Sequence, residues 1–241
     1  MRTEFKKWLV IPAIFGLLAC TNQTASASVI FTGSDISQQL SASATFTDLG
    51  GGQLEVILAN TYTGDTVDQG HVLTGVFFSG TSVLTPVSAT APNGSTNWVA
   101  GTPSVPAGSA VLGTEWAYGT GPATNGATEG IVSAGYYTPG FGNFAGPGDM
   151  LDGSAYGLLS VGYAGSHLDG LDSRDYIQNA MDFILNYSGS INLNAISNVS
   201  FQYGTAATDL NLIPVPEPAP IALLAVSLGL LGFLRARARK I

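Results

Sequence analysis

Apolar and hydroxyl side chains alternate along residues 40–47: Leu40, Ala42, Ala44 and Phe46 share one parity, Ser41, Ser43, Thr45 and Thr47 the other. A period of two predicts a strand with one buried face. The alternation returns in Gln53–Tyr62, where Leu54, Val56 and Leu58 oppose Glu55. Asp48 to Gly52 between them reads as a five-residue hairpin loop. Val72–Ser79 and Ser82–Ala91 predict a second pair turning at Gly80-Thr81, and shorter runs follow at Ala110–Tyr118, Gly130–Tyr137 and Gly157–Tyr163.

Further on, Met181, Phe183, Leu185 and Tyr187 alternate, as do Val199, Phe201 and Tyr203, with Gly189-Ser190 between the two runs. Tyr176, Ile177, Ala180, Met181, Ile184 and Leu185 also fit a helical stripe, with Asp172 or Ser173 as its cap. Strand is the better reading, because Asn179, Asn186 and Tyr187 are mediocre helix formers. Many short strands punctuated by turns predict an all-β fold, a single jelly-roll-like β-sandwich. Pro92–Pro106 and Pro122–Gly148, rich in Gly, Pro, Asn and Thr, read as long loops at one end of it.

Composition agrees with a packed domain. Of 241 residues, 45% are hydrophobic and only 10% charged. The charge is unevenly placed. Between Ser28 and Ile213 fourteen carboxylates face one base, Arg174, a formal charge of −13. Such a surface repels phosphate backbones and argues against nucleic-acid binding. The single cysteine, Cys20, lies in the apolar N-terminal segment, which leaves no thiol chemistry to residues 28–213.

Seven of the eight bases lie at the two ends. At the N-terminus, Arg2, Lys6 and Lys7 precede apolar Trp8–Cys20, followed by the small-residue site Ala25-Ser26-Ala27. This order predicts a signal peptide over 1–27, cut by signal peptidase after Ala27. Leu17-Leu18-Ala19-Cys20 resembles a lipobox, which would instead make a lipidated Cys20 the first residue. At the C-terminus, residues 214–241 combine Pro216-Glu217-Pro218, apolar Ile221–Leu234, and a basic end of Arg235, Arg237, Arg239 and Lys240. Fourteen helical residues reach roughly 21 Å, short of a hydrocarbon core of about 30 Å, which suits temporary retention in the inner membrane. The bases hold the end in the cytoplasm, and the prolines keep the preceding backbone extended.

Pro-Glu-Pro, a short apolar helix and an Arg-rich end resemble the PEP-CTERM sorting signal of Gram-negative bacteria. The resemblance implies recognition of the tripeptide by an exosortase and delivery to the cell surface or an exopolysaccharide matrix. The segment ATFTDLGGGQLEVILANT (44–61) is similar to the openings of many such surface proteins. Gly157-Leu-Leu-Ser, Ile177-Gln-Asn and Asn198-Val-Ser-Phe-Gln-Tyr-Gly-Thr205 resemble a subgroup of unassigned activity, from which no catalytic residue carries over.

Chemistry in the middle of the chain is sparse. Ser166-His167-Leu168-Asp169 holds triad residue types, but neighbours on an extended chain point apart. Gly130-Ile-Val-Ser133-Ala-Gly135 has the wrong spacing for a nucleophile elbow. Asp169, Asp172 and Asp175 repeat every third residue, as do Asp149 and Asp152. In glycine-rich loops such carboxylates suit calcium, which takes six to eight oxygens; they equally serve as solvated loop charges. Trp98, Trp116, Tyr118, Tyr136, Tyr137, Phe141 and Phe144 lie in or beside the glycine-rich loops, to stack on sugars if exposed or to anchor the core if not. The expectation is a non-enzymatic structural or adhesive surface protein, with a carbohydrate-binding module as second reading and a glycosidase, needing a convergent carboxylate pair, as third.

Overall fold

The structure is a computed structural model that describes residues 26–81, 83–106, 112–121, 124–133, 141–145, 154–165, 174–206 and 208–214. The described chain is all-β, with short 3-10 turns as its helical elements. The strands in order are β1 Ser28–Asp35, β2 Leu40–Gly50, β3 Gln53–Asn60, β4 Leu73–Ser79 and β5 Leu84–Thr90. Next come β6 Thr96–Val99, β7 Thr102–Pro106, β8 Ala117–Thr120, β9 Glu129–Val132 and β10 Phe141–Asn143. The chain continues through β11 Leu158–Leu159, β12 Tyr176–Gln178, β13 Ala180–Tyr187, β14 Ser197–Tyr203 and β15 Asn211–Leu212.

One sheet runs β1-β2-β3-β13-β5, with every described pairing antiparallel. The predicted alternation sets its inner face: Leu40, Ala42, Ala44, Phe46, Leu54, Val56 and Leu58 are all buried. The second sheet runs β10-β8-β9-β4-β11-β12-β6-β7, with β14 paired to β4 and β15 to β14. The two sheets share one core. Phe46 of β2 meets Phe78 of β4 edge-on at 5.1 Å, and Trp116 meets Phe183 of β13 at 5.0 Å. A second cluster, Val72, Trp98, Leu159, Tyr163 and Tyr176, closes around β6 and β12.

Four details differ from the sequence reading. The β2–β3 loop is tighter than five residues, because β2 continues to Gly50 through a register shift between Asp48 and Gly50. Gly50, Gly51 and Gly52 take φ of 75°, 65° and 85°, which glycine adopts at least cost. Second, β4 and β5 do not pair. The chain leaves one sheet and enters the other at Gly80, whose φ of 100° and missing Cβ let it pass against the Ala195 carbonyl. Third, Pro92–Pro106 is no open loop. It contains the β6–β7 hairpin, turned by Ala100 and Gly101 with positive φ at both central positions. Likewise Pro122–Gly148 contributes β9 and β10 to the second sheet. Fourth, residues 176–187 are extended, as preferred over helix, but as two strands in different sheets, the change falling at Asn179 with φ 88°.

Candidate functional site

The outward face of the five-stranded sheet carries the parity opposite to the core. Ser43, Thr45 and Thr47 of β2 lie beside Ala59, Ile57 and Glu55 of β3. Asp182 of β13 stands opposite Ile57, and Ile184 opposite Glu55, so the two carboxylates are diagonal neighbours across the β3–β13 ladder. The register places both on one face without a counter-ion at either paired position. Partial burial, then the Glu55 charge, pushes the Asp182 carboxyl up to about 6. Its Oδ1 is shielded from solvent and has no hydrogen-bond partner among the described residues. Asp182 can therefore hold a proton at mildly acidic pH. Glycoside cleavage places its two carboxyls on opposite sides of a scissile bond; these two stand side by side on one sheet.

At the β1–β2 end of the same sheet is an open depression of about 590 Å³ whose lining includes Ile30, Thr32, Ser34, Ser41, Ser43, Thr45 and Thr61. Ser41 and Thr61 share a hydroxyl hydrogen bond of 2.7 Å. The lining offers many neutral donors and acceptors and no charge.

A third carboxylate is internal. Glu129, 5% exposed, opens β9. Tyr118 donates to its Oε2 at 2.9 Å, Thr81 N–H donates to Oε1 at 3.3 Å, and the Thr81 hydroxyl donates to Oε2. The tyrosine is held protonated well past its ordinary range, first by burial and then by the Glu129 charge. Thr81 follows Gly80, so Glu129 ties down the chain where it crosses between sheets.

The residues singled out from the sequence separate into two groups. Asp175 is described: its Oδ1 accepts from Ala100 N–H and its Oδ2 from the Tyr156 hydroxyl, each at 3.2 Å, so it braces the β6–β7 turn. Asp169 and Asp172 lie outside the described residues, as do Asp149, Asp152, His167, Ala25 and the sorting residues Pro216, Glu217, Pro218, Arg235, Arg237 and Arg239. Among the described residues no three His, Cys, Asp or Glu side chains gather to hold a metal. Among them also, no helix is long and apolar enough to cross a membrane; Ile221–Leu234 is not part of that set.

Of the aromatic residues singled out, Trp98, Trp116, Tyr118 and Phe144 belong to the core and Phe141 is partly buried, while Tyr136 and Tyr137 lie outside the described residues. Trp116 is 0% exposed and donates to the Tyr156 carbonyl at 3.2 Å; Trp98 is 9% exposed and donates to Gln178 Oε1 at 3.0 Å. Tyr118 and Phe144 are buried as well. A sugar-stacking surface of Trp98 and Trp116 is therefore ruled out in this fold. Glu129 and the Glu55–Asp182 pair were not singled out beforehand. Glu129 is a lone acid heading the apolar run Gly130-Ile131-Val132, a visible signal of a buried carboxylate. The Glu55–Asp182 pairing depends on a register spanning more than a hundred residues, and nothing local announces it.

The chain thus belongs to the broad class of all-β proteins with two sheets over one core. Comparison with known proteins finds no matching family model, no similar curated protein and no similar solved structure.

Proposed function

We propose that this chain is an exported structural or adhesive protein of a Gram-negative cell surface or extracellular matrix. Residues 28–213 form its β-sandwich domain, 1–27 its signal peptide and 214–241 a sorting signal read by an exosortase. The order of parts in residues 215–241 carries the reading: Pro216-Glu217-Pro218, then an apolar stretch too short for a stable span, then arginines. The fold supports it in two ways. The described strands begin at Ser28 and end at Leu212, within the bounds 28–213 read for the domain. The Phe46–Phe78 contact, between one strand of each sheet, agrees with a sandwich. The domain's formal charge of −13 keeps it soluble and away from anionic membrane surfaces.

The test replaces Pro216, Glu217 and Pro218 together with alanine. The expected outcome is a chain that crosses the inner membrane but stays there, found by fractionation and surface labelling. Normal surface arrival of the triple variant would refute the sorting role.

Exopolysaccharide binding is the second reading. The hydroxyl-lined depression at Ser41, Ser43, Thr45 and Thr61 favours a neutral polymer over a charged one. A glycan array probed with the purified protein decides it: binding should weaken on Ser43→Lys, which sets a long charged side chain in the lining of the depression.

A further inference from the structure

Asparagine followed by glycine is among the least durable pairs in a protein, because no side chain stands between the asparagine carboxamide and the next backbone nitrogen. The pair occurs twice in this chain, at Asn93-Gly94 and Asn125-Gly126. Both copies are exposed and both lie outside the strands. The fold treats them differently.

Asn125 is held. Its Nδ2 donates to Asn211 Oδ1, and Asn211 is itself fixed by donating to Gln202 Oε1 at 3.2 Å. The neighbouring Gly126 carbonyl accepts from Asn198 Nδ2 at 3.2 Å. The Asn125 carboxamide must break its bond before it can turn toward the Gly126 nitrogen. Asn93 is not held. It lies in the turn Pro92–Ser95, which Ser95 N–H closes by donating to the Pro92 carbonyl at 3.1 Å. Gly94 takes a φ of 93° while Asn93 keeps a negative φ, the pattern of a type II turn. Neither the Asn93 carboxamide nor the Gly94 N–H has a hydrogen-bond partner among the described residues. A Cβ at Gly94 would meet nothing within 4 Å, so nothing crowds the approach.

The same turn clamps a crossing between the sheets. Ser95 is 1% exposed; its Oγ donates to the Ala180 carbonyl at 2.9 Å and accepts from Ala180 N–H at 3.3 Å. The Gly94 carbonyl accepts from Asn179 Nδ2 at 3.4 Å. Asn179, with φ 88°, is where the chain passes from β12 to β13. Both residues that follow Asn93 are therefore tied to the two residues at that passage.

We propose that Asn93 is a site of spontaneous deamidation, and that its conversion loosens the crossing at Asn179. The Gly94 nitrogen attacks Asn93 Cγ and closes a five-membered imide. The Cγ–Nδ2 bond breaks, and ammonia leaves with the proton of the Gly94 N–H. Water then opens the imide. Addition at Cγ gives aspartate; addition at the main-chain carbonyl gives isoaspartate, whose backbone runs through the former side chain and is one carbon longer. Water is the only co-reactant. Either product adds a carboxylate to a domain of charge −13. The longer product also shifts Gly94 and Ser95 against Asn179 and Ala180, so each molecule carries a mark of its age at the passage between sheets. The proposal goes beyond the reading as a surface component and requires nothing of the sorting route.

The experiment ages the purified full chain in a mild detergent at mildly alkaline pH, once native and once in concentrated urea. Peptide mass spectrometry follows each asparagine, and enzymatic methylation reports isoaspartate. In the native chain Asn93 should convert about fivefold or more faster than Asn125, the cost of first breaking one hydrogen bond. In urea both should convert. Asn93→Gln should remove the native isoaspartate signal and leave the fold unchanged, because the Asn93 carboxamide has no partner to lose. The aged chain should unfold at a lower urea midpoint than Asn93→Asp, which adds the charge without lengthening the backbone. A native Asn93 that outlasts Asn125, or that keeps its amide while the urea-treated chain loses it, overturns the site. Equal midpoints for the aged chain and Asn93→Asp overturn the loosening of the crossing. Either failure leaves the proposed function standing.

Discussion

Tyr118 donates its phenolic proton to Glu129 across 2.9 Å within the core, and the same carboxylate holds both donors of Thr81. Three donors therefore meet on one side chain at the crossing between the sheets. Glu129→Ala removes the acceptor of all three bonds, leaves the buried Tyr118 hydroxyl without it, and should cost about 3 kcal/mol. Tyr118→Phe removes one charge-assisted bond and should cost about 1.5 kcal/mol. Denaturant unfolding measures both; a loss under about 0.5 kcal/mol for Glu129→Ala would mean the crossing holds without its latch.

The same burial makes an alkaline limit. Tyr118 and Tyr203 both keep their protons beyond the ordinary tyrosine range in the folded state, chiefly because they are buried. The unfolded chain loses those protons near pH 10. The stability they contribute is thus fully present below that pH and drains away above it. Tyrosinate absorbance should show Tyr118 and Tyr203 titrating only as the protein unfolds, and Tyr118→Phe should flatten the fall of stability above pH 10.

Asp182 gives the opposite kind of variant, one that stabilises. Its folded carboxyl is raised to about 6, so the protonated form suits the fold and the charged form strains it. The favourable contribution holds below the unfolded value near 4 and is lost as pH rises through about 6. Asp182→Asn should accordingly melt higher than the parent at pH 8, with the difference vanishing near pH 4. Allowing for solvent screening on this partly exposed face, the gain is about 1 kcal/mol, or about 2–4 °C. An equal difference at both pH values would show that the proton is irrelevant.

Gly80 and Gly50 both have positive φ, at 100° and 75°, but their surroundings differ. A Cβ at Gly80 would lie 2.0 Å from the Ala195 carbonyl, whereas one at Gly50 would meet nothing within 4 Å. Gly80→Ala should cost about 3 kcal/mol or more, and Gly50→Ala about 1 kcal/mol from backbone conformation alone. Comparable midpoints for the two variants in urea would contradict the close passage at the crossing.

The inner face of the five-stranded sheet was readable from the chain because Leu40 to Phe46 and Leu54 to Leu58 bury one parity only. β4 was harder: all seven of its residues are buried, so it shows a run without a period and gives no clue to its partners. The crossings at Gly80 and Asn179 each rest on a single residue of positive φ, which resembles a hairpin turn or a mere pause in the sequence. Aromatic residues in glycine-rich stretches suggested exposure, yet Trp98 and Trp116 found hydrogen-bond partners for their indole nitrogens and went inside. Of the candidate site, the hydroxyl parity of β2 was visible, while the Glu55–Asp182 neighbourhood follows from strand pairing far along the chain.

The placement of β13 governs when this protein can fold. It lies between β3 and β5 and, among the described strands, is the one that joins β5 to the remainder of its sheet. Ala180 must therefore have been made before residues 84–90 can dock, and Leu212, seated over Gly33, closes the inner face later still. Contacts that span most of the chain form slowly, because the loop must close before any bond repays it. A ribosome releasing residues in order leaves β1, β2 and β3 waiting as a marginal three-stranded sheet with one face bare. The architecture thus builds delay into synthesis, and the sheet is completed only when nearly its last described strand has emerged.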